Sequence, residues 1–280
     1  MSQPREASRT AAGVAWLRAA HQVVDSPPLI LDDPIAPALF GDAAVHLAER
    51  RAELASAGAL ALRAHVLLRS RFAEDQLAAA VSRGVGQYVI LGAGLDTFGY
   101  RQPSWARTLR IIEVDQPASQ HDKCRRLADA GIVPPDNLTF AAVDLEAESL
   151  VDELDRTGVD VAVPTFFSWL GVSMYLTRDA VHAVFRTVAR FPPSSELVFT
   201  YAQPRVPGTA MAPSIATRAA AAGEPWLTFF EPDELARVLR RAGFSSVQFL
   251  TREQAEVRYF TGRSDALRTP RRVSIATATV

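Results

Sequence analysis

Seven short apolar runs, most of them separated by helical stretches, constrain this 280-residue chain more than any other feature. The runs are Tyr88–Leu91, Leu109–Val114, Leu138–Val143, Thr165–Leu170, Glu196–Tyr201, Ser246–Leu250 and Val273–Thr277. Helical composition fills Ala118–Ala130, Ala147–Thr157, Arg178–Arg190 and Pro232–Ala242. Strands alternating with helices predict βαβ units and a mostly parallel sheet, an α/β fold. Apolar runs without polar alternation fit strands covered on both faces.

The first 83 residues follow a different pattern. Thr10–Val24 reads as a helix stopped by Pro27-Pro28, and Asp32-Asp33-Pro34 as a turn. Asp42–Ala55 and Ala59–Ser82 read as two further helices. We therefore expect an N-terminal helical extension over residues 1–83 and a core over 84–280, together forming one compact unit. Pro204–Phe230, which holds Pro204, Pro207, Gly208, Pro213, Gly223 and Pro225, interrupts the alternation. It reads either as a lid inserted over the site or as a structural connection.

The bulk properties exclude several classes. A net charge of −1 gives no basic field for nucleic acid or an anionic membrane. No run reaches the ~18 apolar residues of a membrane span. Met1–Thr10 is polar and lacks the core of a signal peptide. The single cysteine, Cys124, cannot form an intrachain disulfide, and no Cys/His cluster has metal-ligand spacing. The expectation is a cytoplasmic protein with no metal, nucleic-acid or membrane partner.

The first run of the core ends in Leu91-Gly92-Ala93-Gly94-Leu95-Asp96-Thr97. Glycines at the carboxyl end of a strand let a ligand approach the backbone closely. In a dinucleotide fingerprint a third glycine would stand at 97, where this chain has Thr97. That argues against a nicotinamide-dependent oxidoreductase and for a nucleoside without pyrophosphate. The second run ends in Glu113-Val114-Asp115-Gln116, which puts an acid where ribose hydroxyls would bind. Asp115 is the candidate and Glu113, on the same side of the strand, the alternate; a helix-capping acid is the competing role. Asp144 and Leu145 end the third run, placed to meet an adenine amine and ring nitrogen.

The order LGAGLDT, then Glu113-Val114-Asp115-Gln116-Pro117 with Lys123, then Val143-Asp144-Leu145, then Pro164-Thr165 through Tyr175-Leu176, resembles the leucine carboxyl methyltransferase family, in particular its bacterial S-adenosyl-L-methionine-dependent branch. Ser8-Arg9-Thr10-Ala11, Asp33-Pro34, Gly223-Glu224-Pro225-Trp226 and Glu231-Pro232 are similar to that branch too, so the resemblance spans nearly the whole chain. It implies a Rossmann-like class I methyltransferase fold with a seven-stranded sheet, and S-adenosyl-L-methionine as cofactor. It implies donor contacts at Gly92, Ala93, Gly94, Asp96, Asp115, Gln116, Asp144, Leu145 and Ser168. It also implies an arginine for the methionine carboxylate: Arg69 matches best, with Arg71 the alternate. Leu170 departs from the pattern, standing where family members often carry a glutamate.

Methyl transfer to oxygen needs alignment above all. A carboxylate acceptor needs no general base, whereas a hydroxyl does. Tyr175 and Tyr201 are the candidates for such a role. The resulting expectation is O-methylation of a small molecule or peptide-like natural product. A non-catalytic cofactor-binding protein is the alternative that Leu170 keeps open.

Overall fold

A computed structural model describes residues 8–204, 215–221 and 223–280. Pro207, Gly208 and Pro213 of the expected insertion lie outside the described residues. Four α-helices come first: α1 (Arg9–Val24), α2 (Ile35–Ala38), α3 (Arg51–Leu54) and α4 (Ala57–Ser82). Side-chain oxygens of Ser8 and Ser56 cap α1 and α4 at their N-termini. The helix expected over Asp42–Ala55 is instead a 3-10 segment, Gly41–Leu47, followed by the single turn α3. Leu47 and Leu54 alone in this stretch are buried, too few to hold a continuous helix against α1.

The strands are β1 (Gln87–Leu91), β2 (Arg110–Asp115), β3 (Leu138–Ala142), β4 (Thr165–Trp169), β5 (Glu196–Thr200), β6 (Ser246–Phe249) and β7 (Ile275–Thr279). They form one sheet in the order β3-β2-β1-β4-β5-β7-β6. All pairings are parallel except those of β7, which runs antiparallel to β5 and β6. The intervening helices are α5 (Pro117–Asp129), α6 (Leu150–Arg156), α7 (Arg178–Val188), α8 (Ile215–Ala221), α9 (Pro232–Ala242) and α10 (Arg252–Ala255).

Strand alternation divides the core into two layers. Val89 and Leu91 face a cluster that includes Phe185 of α7 and Leu239 of α9. Tyr88 and Ile90 face the other cluster, with Leu67, Leu68 and Phe72 of α4. Both faces are covered, as the continuous apolar runs require. The strand order changes direction at β1, between β2 and β4, and crevices for ligands open at such a point. None of the helices among the described residues is long and apolar enough to cross a membrane.

Candidate active site

A cavity of about 600 Å³ opens at the carboxyl ends of β1, β2, β3 and β4. Its floor is the turn after β1. Gly92 has φ +64°, and a Cβ there would collide with the side chain of Val172, so only glycine suits the position. The turn is tied to the next strand through Asp115, whose carboxylate accepts the amides of Gly94 and of Gln116 (2.7 Å). Burial pushes the Asp115 carboxyl up from its ordinary value, and those two amides pull it back. Asp115 does not cap α5, whose N-cap residue is Gln116.

At the third strand, Asp144 lines the cavity while its Oδ1 accepts the Glu146 amide at 3.0 Å. Asp144 thus also shapes a local turn, and α6 starts at Leu150, capped by the Ser149 side chain, three residues later than the expected start. Leu145 lines the cavity beside it. Ser168, at the end of β4, shares a 2.8 Å hydrogen bond with the Tyr88 hydroxyl and faces the same space.

Arg69 reaches the cavity from α4. It passes over Gly171 (φ +78°), where a Cβ would strike the guanidinium. Among the described residues it makes no hydrogen bond or ion pair; its neighbours Tyr175, Arg18 and Asp96 act on it only through space. Burial lowers its pKa to about 10, with the Tyr175 phenol opposing and Arg18 adding to the shift. The group stays cationic at neutral pH. One turn earlier on α4, burial and then Arg69 push His65 down to about 3, so His65 is neutral.

Of the sequence candidates, Arg69, Gly92, Ala93, Gly94, Asp96, Asp115, Gln116, Asp144, Leu145, Ser168 and Tyr175 all line this one cavity, as does Leu170. Tyr201 does not and is corrected: it packs in the core 5.8 Å from the Phe249 ring, its hydroxyl accepting from Gln203. The alternates are set aside as well. Arg71 is exposed and paired with Asp75 at 2.8 Å. Glu113 shares the side of Asp115 but lies one pleat repeat below the strand tip, where α5 covers it and Lys123 pairs with it. Trp169, next to Ser168 at the end of β4, is not a site residue but part of the core, wholly buried against Phe185.

Sequence reasoning had one feature only as one of its two readings of Pro204–Phe230, and missed a second. The roof of the cavity is the start of α1, from Ser8 to Ala11, together with Gly223 to Pro225. The carboxylate of Glu224 accepts the amides of Arg9 (3.1 Å) and Thr10 (3.2 Å), joining the two. Both stretches carried the resemblance, which was the available signal. The second is Asp33, read as part of a turn: Asp32 is exposed, but Asp33 is fully buried and bonded to Arg18 and Thr97.

The family model described as leucine carboxyl methyltransferase matches residues 11–189, more than half of the chain. YktD of Bacillus subtilis (strain 168), named as an S-adenosyl-L-methionine-dependent methyltransferase, is 32% identical over 288 residues, covering 94% of each chain. Among solved structures, a DUF574 family protein from Streptomyces avermitilis MA-4680 superposes with a TM-score of 0.58 at 17% identity, over 94% of this chain and 95% of its own. A protein from Thermobifida fusca YX, titled as a methyltransferase, gives 0.56 at 20% identity, over 86% and 91%. At these identities the two structures speak for the fold: a mostly parallel seven-stranded Rossmann-like sheet. From the family match and the full-length relative, the chain belongs to the leucine carboxyl methyltransferase family and is an S-adenosyl-L-methionine-dependent methyltransferase.

Proposed function

We propose that this enzyme methylates an oxygen, carboxylate or hydroxyl, of a small molecule or peptide-like natural product, with its donor held by the cavity floor. The observation that carries the donor placement is Arg69, a cation facing the cavity without a hydrogen-bond partner among the described residues. A guanidinium suits an amino-acid carboxylate because it can grip both oxygens. Asp115 then takes the ribose hydroxyls, Asp144 and Leu145 the adenine edge, and the Gly92–Gly94 backbone the span between them. The residues present therefore fit the donor. When bound, S-adenosyl-L-methionine supplies a methyl group on a sulfonium for in-line transfer.

The chain's own residues do the rest. Val14, Leu170, Val172 and Leu227 line the cavity with apolar surface and exclude water. In such a site, alignment supplies much of the rate. A carboxylate acceptor, ionised at neutral pH, needs no proton removed. A hydroxyl acceptor would meet Tyr175, beside Arg69, as a proton-carrying group of the β4 loop that lines the cavity. Residues 8–83 and the described part of 204–230 cap the floor and shape the acceptor end.

Incubation with methyl-labelled donor and an acceptor panel tests this reading. Mild base releases labelled methanol from a methyl ester and leaves a methyl ether intact, which separates carboxylate from hydroxyl. Label on nitrogen or sulfur alone would contradict the oxygen assignment.

A further inference from the structure

We infer that Asp33, with Arg18 and Thr97, is a positioning set for the donor turn, so that the helical prelude is part of the donor site and not only its cover. The inference rests on the donor placement above. Thr97 stands where a dinucleotide fingerprint would have its third glycine. Its side chain is used instead. Thr97 Oγ1 donates to Asp33 Oδ2 at 2.8 Å and accepts from Arg101 Nε at 3.0 Å. Arg18 Nε donates to the same Asp33 oxygen at 3.0 Å, and Arg18 Nη2 donates to the carbonyl of Leu95, inside the turn. Thr97 and Asp33 are 0% exposed and Arg18 is 5%.

The carboxylate is itself fixed from the prelude. Asp33 Oδ1 accepts the Ala36 amide at 3.1 Å, and the Asp33 amide donates to Gln22 of α1 at 3.0 Å. Arg101 is held by Glu74 of α4. Two cations, buried Arg18 and half-buried Arg101, therefore face two anions, buried Asp33 and half-buried Glu74, and each is bonded. Buried polar groups are costly when unpaired and geometrically demanding when paired, so this cluster fixes one geometry. What it fixes is the segment Leu95–Thr97, from which Asp96 faces the cavity. A turn containing glycines has much backbone freedom to lose on binding a ligand, and restraining it beforehand raises affinity. Arg18 also lines the cavity itself, close enough for its charge to act on Arg69.

Thr97→Val tests this, because it keeps the shape and removes the hydroxyl; Thr97→Ser is the conservative control. Calorimetry with S-adenosyl-L-methionine and S-adenosylhomocysteine gives affinity, and hydrogen exchange reports the amides of Leu95–Thr97. Thr97→Val should bind both ligands at least tenfold more weakly and exchange faster in the turn, with Thr97→Ser within about threefold of wild type. A purely structural role would lower Tm but leave the dissociation constant unchanged well below it. If Thr97→Val does not fold, Arg18→Lys, which loses the two-pronged reach to Asp33 and Leu95, should show the same tenfold loss. Wild-type binding with either folded variant within twofold overturns the inference alone. Wild-type protein that binds neither ligand overturns the donor placement and the inference with it.

Discussion

The floor of the cavity and its roof are made differently. The floor is backbone and strand tips: Gly92–Asp96, Asp115 and Asp144 lie where the parallel strands end, backed by a core on both faces of the sheet. The roof is the first turn of α1 and the segment around Glu224, joined through one carboxylate that bridges more than two hundred residues of sequence. Moving the floor means disturbing the sheet. Moving the roof means breaking a few part-exposed hydrogen bonds, each contributing about 0.5–1.5 kcal/mol. A donor common to a family can use a rigid floor, whereas an acceptor must enter and a product leave, which suits a roof held by little.

Several substitutions would break or sharpen that contrast. The largest effect is expected at the floor, from Gly92→Val. It forces a branched side chain into left-handed backbone and into Val172, at a cost of about 1–3 kcal/mol from the backbone alone. Donor binding should vanish in calorimetry and Tm should fall. Gly171→Ala comes next. Its Cβ would displace the Arg69 guanidinium, so it should weaken donor binding about as much as deleting Arg69, although the two residues lie on different elements. Donor affinity close to wild type in that variant would separate Gly171 from Arg69.

A third effect is on stability and involves no ligand. His65 has its pKa depressed from 6.5 to about 3. Its contribution is fully present above pH 6.5 and is lost as pH falls toward 3, by up to about 1.4 kcal/mol per unit. Denaturant titrations over that range should show a shallower loss in His65→Gln than in wild type. The smallest effect is expected at the roof. Glu224→Gln removes a charge from the N-terminus of α1, worth about 0.3–1 kcal/mol. It should leave donor affinity within about threefold while speeding donor release in stopped-flow. A large affinity loss there would make the roof as rigid as the floor.

The floor was legible in the sequence because its signals are local. An apolar run, a glycine turn and an acid about twenty residues on are each read within a short window, and the strands fall within two residues of expectation. The roof and the prelude were harder, because what holds them is long-range polar pairing. Asp33 looks like any acid before a proline; only the fold brings it to Thr97, 64 residues away. The stretch after Gly41 has helix-forming composition throughout, yet without enough buried side chains it breaks into short turns. Tyr201 was misplaced for a related reason: sequence puts it at the end of a strand but does not say how far across the row of strand ends the cavity reaches. Arg69 and Arg71 are equivalent by composition, and the direction each leaves α4 separates them: one enters the cavity and the other pairs with Asp75 on the surface.

The most direct test of the donor floor is calorimetric titration of S-adenosyl-L-methionine into wild-type protein and Arg69→Ala. Wild type should bind one donor per chain. Arg69→Ala should bind roughly 30-fold more weakly, about 2 kcal/mol for a lost charge-assisted pair, with little change in Tm because Arg69 bonds to nothing else among the described residues. Equal affinity in the two proteins would contradict the placement of the donor's carboxylate on Arg69, and with it the reading of this cavity floor.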